Sequence, residues 1–241
     1  MKIPIFKQNF MINKKKVILA VGAHPDDIEF GCPVTLKSFI KQGYEVYYVV
    51  ATNGENGFKV KSMSSAERIA IRRKEAYIAA GKVGAKKVYF LGFKDGFLDY
   101  TEQLRKKLTL LIKALQPEII FSFDPANLDF TSVNLQHRDH RVIATAVFDS
   151  VFAAKNNFIY PHKNGLHRVE RIFFFGSNRP DYFVDITKEI DFKLDVLSSF
   201  KSQFPNFENF AVFFRENLAS HTDKYKYSES FRVIDVIQIS Y

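Results

Sequence analysis

The chain has 241 residues, 46% hydrophobic and 25% charged, which is ordinary for a soluble globular protein and long enough to bury a full core as one domain. No uncharged apolar run reaches the length of a membrane span, and residues 1–15 carry lysines without a continuous apolar stretch. They read as an N-terminal arm, not a secretory signal. The net charge of +9 favours anionic partners, but the basic residues are spread along the chain, and the densest groups, Lys14 to Lys16 and Arg72 to Lys74, are short. The lone cysteine, Cys32, forbids an intrachain disulfide and fits a reducing, cytoplasmic setting. It reads as a small buried residue at a helix start.

In chain order, Lys16 to Gly22 is expected to form a first, buried strand. A helix over Pro33 to Gln42 follows, with Pro33 in its first turn and Gly43 as its stop. Tyr44 to Ala51 reads as the second strand, and Thr52 to Met63 as a polar loop. A long helix begins at Ser64 or Ser65 and ends near Gly81 or Gly84. Lys86 to Leu91 is the third strand, Glu102 to Leu115 an amphipathic helix and Glu118 to Phe123 the fourth strand. A loop over Asp124 to Gln136 leads into a helix ending about Lys155. Beyond it, Arg171 to Phe175 and Tyr182 to Val184 read as strands and Ile186 to Phe200 as a helix. The aromatic stretch Phe204 to Phe214 suits a pocket lid or a subunit contact in a homo-oligomer, and Glu229 to Tyr241 is a mixed tail with a strand-like end. Strands alternating with helices through short links predict an α/β fold: a Rossmann-like three-layer sandwich with a mostly parallel central sheet. The loops after strands one to four then gather at one sheet edge, where such folds bind ligands.

Two of those loops carry chemistry. Ala23-His24-Pro25-Asp26-Asp27 ends the first strand, and imidazole with carboxylate is a ligand set that zinc accepts while keeping a position for water. His24 and Asp27 are three apart, so one tight turn aims both at one point. Asp26 lies between them, points elsewhere and is free to act on a metal-bound water. The second loop leads to His137-Arg138-Asp139-His140, whose histidines share a helix face. His24, Asp27 and one of His137 or His140 complete a three-ligand site; the other histidine and Asp139 then serve as supporting or acid–base groups. Either motif alone could be a solvated turn or a helix cap. Together they use three of the chain's six histidines at the sheet edge where ligands bind.

The chain resembles the LmbE-like or PIG-L-like family of zinc-dependent N-acetylglucosamine deacetylases. His24 to Glu29 with Gly31 matches its metal turn. Thr52, Gly54 and Glu55 match a Thr-x-Gly-Glu loop, and Arg72 with Glu75 an Arg-x-x-Glu helix. Phe90 to Gly92 with Asp95-Gly96 match a Leu-Gly loop ending in Asp-Gly. His137, Asp139 and His140 match a His-x-Asp-His element. Asp185 to Thr187, Lys193, Ser202-Gln203, Glu229 and Phe231 match its C-terminal elements. The resemblance implies that His24, Asp27 and His140 bind Zn2+, a set Fe2+ also accepts. It implies Asp26 as general base, and His137 as general acid or stabiliser of the tetrahedral intermediate, oriented by Asp139. It implies Arg72 and Asp95 as substrate-holding residues. Three departures stand out: Pro33-Val34 where relatives have paired glycines, Arg138 where they have proline, and Phe200 where they have a histidine.

The implied reaction is hydrolytic removal of an acetyl group from an N-acetylated amino-sugar conjugate, a small and possibly anionic molecule. A non-catalytic, metal-containing α/β module holding an anionic sugar or nucleotide is the alternative, and it would not need Asp26, His137 and Asp139 all intact. A nucleic-acid partner would rest on charge alone, since no nucleic-acid motif accompanies it.

Overall fold

The computed structural model describes residues 16–58, 62–127, 132–217 and 222–236. The arm expected at 1–15 and the end of the tail beyond 236 lie outside them. The first strand, β1 (Val17–Gly22), is buried along its whole length. It is followed by a short helix α1 (Asp27–Gly31), α2 (Pro33–Lys41), β2 (Glu45–Thr52), α3 (Ser65–Val83), β3 (Lys87–Phe93), α4 (Glu102–Leu115), β4 (Ile119–Phe123) and α5 (Arg138–Ala154). The C-terminal part adds β5 (Arg171–Phe175), β6 (Tyr182–Asp185), α6 (Ile190–Leu197), α7 (Phe207–Asn217) and β7 (Ser228–Asp235).

Among the described residues the strands form one seven-stranded sheet in the order β3-β2-β1-β4-β5-β7-β6. β1 to β5 run parallel, while β7 is antiparallel to both its neighbours. α2, α3 and α6 pack together, as do α4 and α5. Helices flank the mostly parallel sheet, the α/β architecture read from the sequence. β1 and β4 are buried at every position, which is why they read as apolar runs and not as alternating patterns. No helix among the described residues is long and apolar enough to cross a membrane.

Local chemistry sets the boundaries. Ser64 and Glu67 form a reciprocal capping box at the start of α3, and Gly84 closes that helix at φ 97°. Buried Leu104, Leu108 and Ile112, four apart, fix the inner face of α4. The C-terminal half departs from expectation. The helix expected over Ile186 to Phe200 starts only at Ile190, because the Asp185 carboxylate accepts from the Thr187 amide at 2.9 Å and Ile186 to Glu189 close a separate turn. The aromatic stretch becomes α7, whose Phe207, Phe210 and Phe214 close with Phe204 around Phe30 of α1. It covers the core there, and Pro205 at its start borders a cavity.

The sheet order places the site. The chain runs outward from β1 through β2 to β3, then returns to lay β4 on the other side of β1. This reversal opens a crevice at the carboxyl ends of β1 and β4. Both sequence motifs follow those two strands.

Candidate active site

The turn after β1 is tight because Asp27 folds back on it. Its Oδ2 accepts from the amides of Ala23 and His24, each at 2.7 Å. Gly22 makes room: a Cβ there would meet the Asp27 Cβ at 2.9 Å. The second motif enters from α5, whose first turn is capped by His137. Nδ1 of His24 lies 3.2 Å from Nε2 of His140 and 3.6 Å from Oδ2 of Asp27, and His140 Nε2 lies 3.2 Å from Asp27 Oδ1. These separations match the roughly 3.3 Å edge of a tetrahedron with metal–ligand bonds of about 2.0–2.1 Å. The three side chains therefore fit a divalent cation.

Hydrogen-bond partners assign the tautomers that such a site needs. His140 Nδ1 donates to the Leu135 carbonyl at 3.0 Å, which leaves Nε2 as a lone pair facing the cluster. His24 is turned the other way. Its Nε2 donates to Asp139 Oδ2 at 3.2 Å and lies 3.1 Å from Asp95 Oδ1, so Nδ1 is the nitrogen turned to the cluster. Asp139 is fully buried and is itself held by the amides of Gly96 at 2.7 Å and Leu98 at 3.1 Å. A carboxylate behind a ligating histidine fixes its ring and raises its basicity.

This differs from the expected part of Asp139 as the group orienting His137. Residues two apart at a helix start do not share a direction, and the Asp139 carboxylate turns to His24. Its backbone amide is what donates to His137 Nδ1, at 3.0 Å. That bond leaves the proton of a neutral His137 on Nε2. Ring nitrogens of His24, His137 and His140 lie within 4.8 Å of one another, as do donor atoms of His24, Asp95, His137 and Asp139.

Asp26 is set apart from this cluster. It occupies φ 121°, costly for any residue but glycine, and makes no helix-capping bond. Its Oδ2 accepts from Arg72 at 3.0 Å. Arg72 is almost fully buried, and its Nη2 also donates to the Pro25 carbonyl. The structure thus places Arg72 on Asp26, and Asp95 beside His24, with the Asp95 carboxylate also accepting from the Asn56 amide.

Charge follows the packing. Burial pushes the Asp27 carboxyl up, but His140 and His24 outweigh it and hold it well below the usual carboxylate range. Burial pulls His24 down, yet Asp27, Asp139 and Asp95 raise it well above an ordinary histidine. His137 is lowered by burial and by the neighbouring histidines, which favours its neutral form. Asp26 is raised, burial outweighing Arg72. Phe123 was missed by sequence reasoning. Its ring stacks on His140 with centroids 4.1 Å apart, and its place at the last position of β4, just before the loop, was the available signal.

Residues 19–151 match the family model described as PIG-L: GlcNAc-PI de-N-acetylase. The sequence is 31% identical over 207 residues to diacetylchitobiose deacetylase of Thermococcus kodakarensis, covering 83% of this chain and 74% of that protein. The chain belongs to the PIG-L family. Within that family it is also 27% identical over 195 residues to a probable N-acetyl-alpha-D-glucosaminyl L-malate deacetylase 2 of Bacillus cereus, covering 77% of this chain and 83% of that one. The solved structure of N,N'-diacetylchitobiose deacetylase from Pyrococcus horikoshii, bound to its inhibitor MPG, superposes with a TM-score of 0.83 at 32% identity. It covers 91% of this chain and 84% of its own. A 4-carboxy-2-hydroxymuconate hydratase from Pseudomonas putida shares the fold at 20% identity and a TM-score of 0.75, covering 94% and 99%, so this architecture alone does not select a reaction.

Proposed function

We propose that this PIG-L family member is a metal-dependent N-deacetylase, with zinc as its metal, acting on an N-acetylglucosamine-type sugar conjugate. Its relatives carry names of deacetylases of diacetylchitobiose and of an N-acetylglucosaminyl malate. The observation that carries the reading is the convergence of His24 Nδ1, Asp27 Oδ1 and His140 Nε2, with Asp26 in the same turn but its carboxylate on Arg72 and outside the set. Three protein ligands leave a coordination position open, as hydrolytic zinc sites do.

Held by His24, Asp27 and His140, zinc would supply Lewis acidity toward the amide carbonyl and would bring the pKa of a water down to about 7. Asp26 takes the proton from the attacking water and sets its direction. His137, neutral and protonated at Nε2, donates a hydrogen bond to the carbonyl oxygen as it becomes negative. The nitrogen leaves with the proton that Asp26 took from the water. Amide and water become acetate and a free amine. Asp95 and Asp139 keep the His24 ring turned so that Nδ1 faces the site.

Amine release from N,N'-diacetylchitobiose, measured on metal-stripped and zinc-restored protein, tests the reading. Asp26→Asn should keep zinc and lose about 10²–10⁴-fold in kcat, the usual span for a general base. His140→Ala should lose zinc affinity first. Near-wild-type turnover of Asp26→Asn at saturating zinc would remove Asp26 as the base, and no amine from any N-acetylglucosamine conjugate in the zinc-loaded protein would overturn the proposal.

A further inference from the structure

The link from β4 to α5 holds a buried glutamine among exposed neighbours. Gln136 is 3% exposed, whereas Val133 in the same turn is 90% exposed. A side-chain amide out of water must pair its polar groups, and here the pairs close a turn. Gln136 Oε1 accepts from the Ser132 amide at 2.7 Å, and the Gln136 amide donates to the Ser132 carbonyl at 2.9 Å. Between them, the Leu135 amide donates to Ser132 Oγ at 3.2 Å. The turn is also tied outward. Gln136 Nε2 donates to Asn178 Oδ1 at 3.4 Å, and the Gln136 backbone carbonyl accepts from Arg141 of α5. Asn178 lies in the link between β5 and β6, which Asn127 clamps. Asn127 Oδ1 accepts from the Asn178 amide at 2.8 Å, and its Nδ2 donates to the Gly176 carbonyl. The approach is close: a Cβ at Gly176, where φ is 65°, would meet Leu135 Cδ1 at 3.2 Å.

We infer that Gln136 is a positioning residue for the metal ligand His140: it locks the 132–136 turn so that the Leu135 carbonyl meets His140 Nδ1. This rests on the reading of His140 as a zinc ligand. The bond from Nδ1 to Leu135, at 3.0 Å, is what turns Nε2 toward His24 and Asp27. The other contact of the ring does not choose between its nitrogens. Phe123 stacks on the imidazole face, and a half-turn about the Cβ–Cγ bond keeps that stack while carrying Nε2 away from the cluster. Only an acceptor fixed at the ring edge separates the two orientations. Leu135 offers it from a loop, so the loop must be held, and the bonds of Gln136 hold it on both sides of that carbonyl.

Zinc competition against a chromogenic chelator, on the full-length protein, tests it. Gln136→Met keeps the length of the side chain and removes both polar groups. It should raise the zinc dissociation constant about 10-fold, the low end of what a partner behind a ligating histidine is worth, because Gln136 acts through Leu135. Turnover of N,N'-diacetylchitobiose at saturating zinc should fall less than the affinity does. The second readout is the His140 Nδ1 proton, followed by NMR in zinc-loaded protein with labelled histidine. It should be protected from exchange with water in the native chain and lose that protection in Gln136→Met, a change that a loss of stability alone does not produce. Should Gln136→Met fail to fold, Ser132→Ala, which removes the acceptor of the Leu135 amide, should show both changes at smaller size. Unchanged zinc affinity in the variant measured overturns the inference, and so does weakened affinity with the His140 proton still protected. A His140→Ala protein that binds zinc as tightly as the native chain fails the ligand reading itself. That is a different result from a zinc-poor His140→Ala beside a Gln136→Met that keeps its affinity.

Discussion

At the scale of single residues, the difference between a histidine cluster and a metal site lies in which nitrogen carries the proton. The sequence shows His24 and His140 but not that their rings turn opposite nitrogens to the cluster. That follows from the Leu135 carbonyl behind one ring and the Asp95 and Asp139 carboxylates behind the other. That His24, Asp27 and the His137–His140 pair meet was legible because a His-Pro-Asp-Asp turn and a His-x-Asp-His element each follow a parallel strand, but which of the two histidines turns to Asp27 was left open by their spacing. The target of Asp139 was not legible, because spacing fixes where a side chain starts and not which neighbour it reaches. Its present contacts predict a specific defect. Asp139→Asn should weaken zinc affinity about 10–100-fold, the usual cost of losing the partner behind a ligating histidine, while kcat at saturating zinc falls less. Competition with a chromogenic chelator measures this. Unchanged affinity with a collapsed kcat would instead tie the carboxylate to His137.

At the scale of elements, punctuation residues made α2 and α3 readable, with Pro33 at a first turn, a serine at 64 or 65 to start and a glycine at 81 or 84 to stop, and the spacing of apolar residues did the same for α4. The C-terminal elements were harder because their bounds depend on long-range partners. β7 reads as a mixed tail until its Glu229 is seen inside the core. There its carboxylate accepts from the amides of Val34 and Thr35 and the Thr35 hydroxyl at 2.6–3.1 Å, and from Lys193 at 3.0 Å. One acid thus satisfies the N-terminus of α2 and a buried ammonium on α6, joining three elements distant in sequence. Glu229→Gln strands the Lys193 charge among buried groups, and breaking such a pair costs about 3–5 kcal/mol. Urea midpoints of the two proteins would show it, and a loss below about 1 kcal/mol would mean that Lys193 finds water or another acceptor.

At the scale of the molecule, the sheet is held at its C-terminal side by a second ionic tie. Asp124, just past β4, accepts two bonds from Arg232 of β7 at 2.6 and 2.7 Å, and others from Ser177 and the Ala126 amide. Burial pushes its carboxyl up, but Arg232, Ser177 and Ala126 outweigh that and hold it below the usual value. A carboxyl depressed in the folded state binds its proton more weakly there than in the unfolded chain. Its contribution is therefore fully present above the unfolded pKa of about 3.9 and is lost as pH falls through the lower folded value. Asp124→Asn should be less stable than the native chain at pH 7, and the gap should close only in acid, below about pH 4. Thermal midpoints of the two proteins from pH 7 down to about pH 2.5 would trace the closure across that window. A gap that stays constant through the whole range would show that the tie works by packing and not by charge.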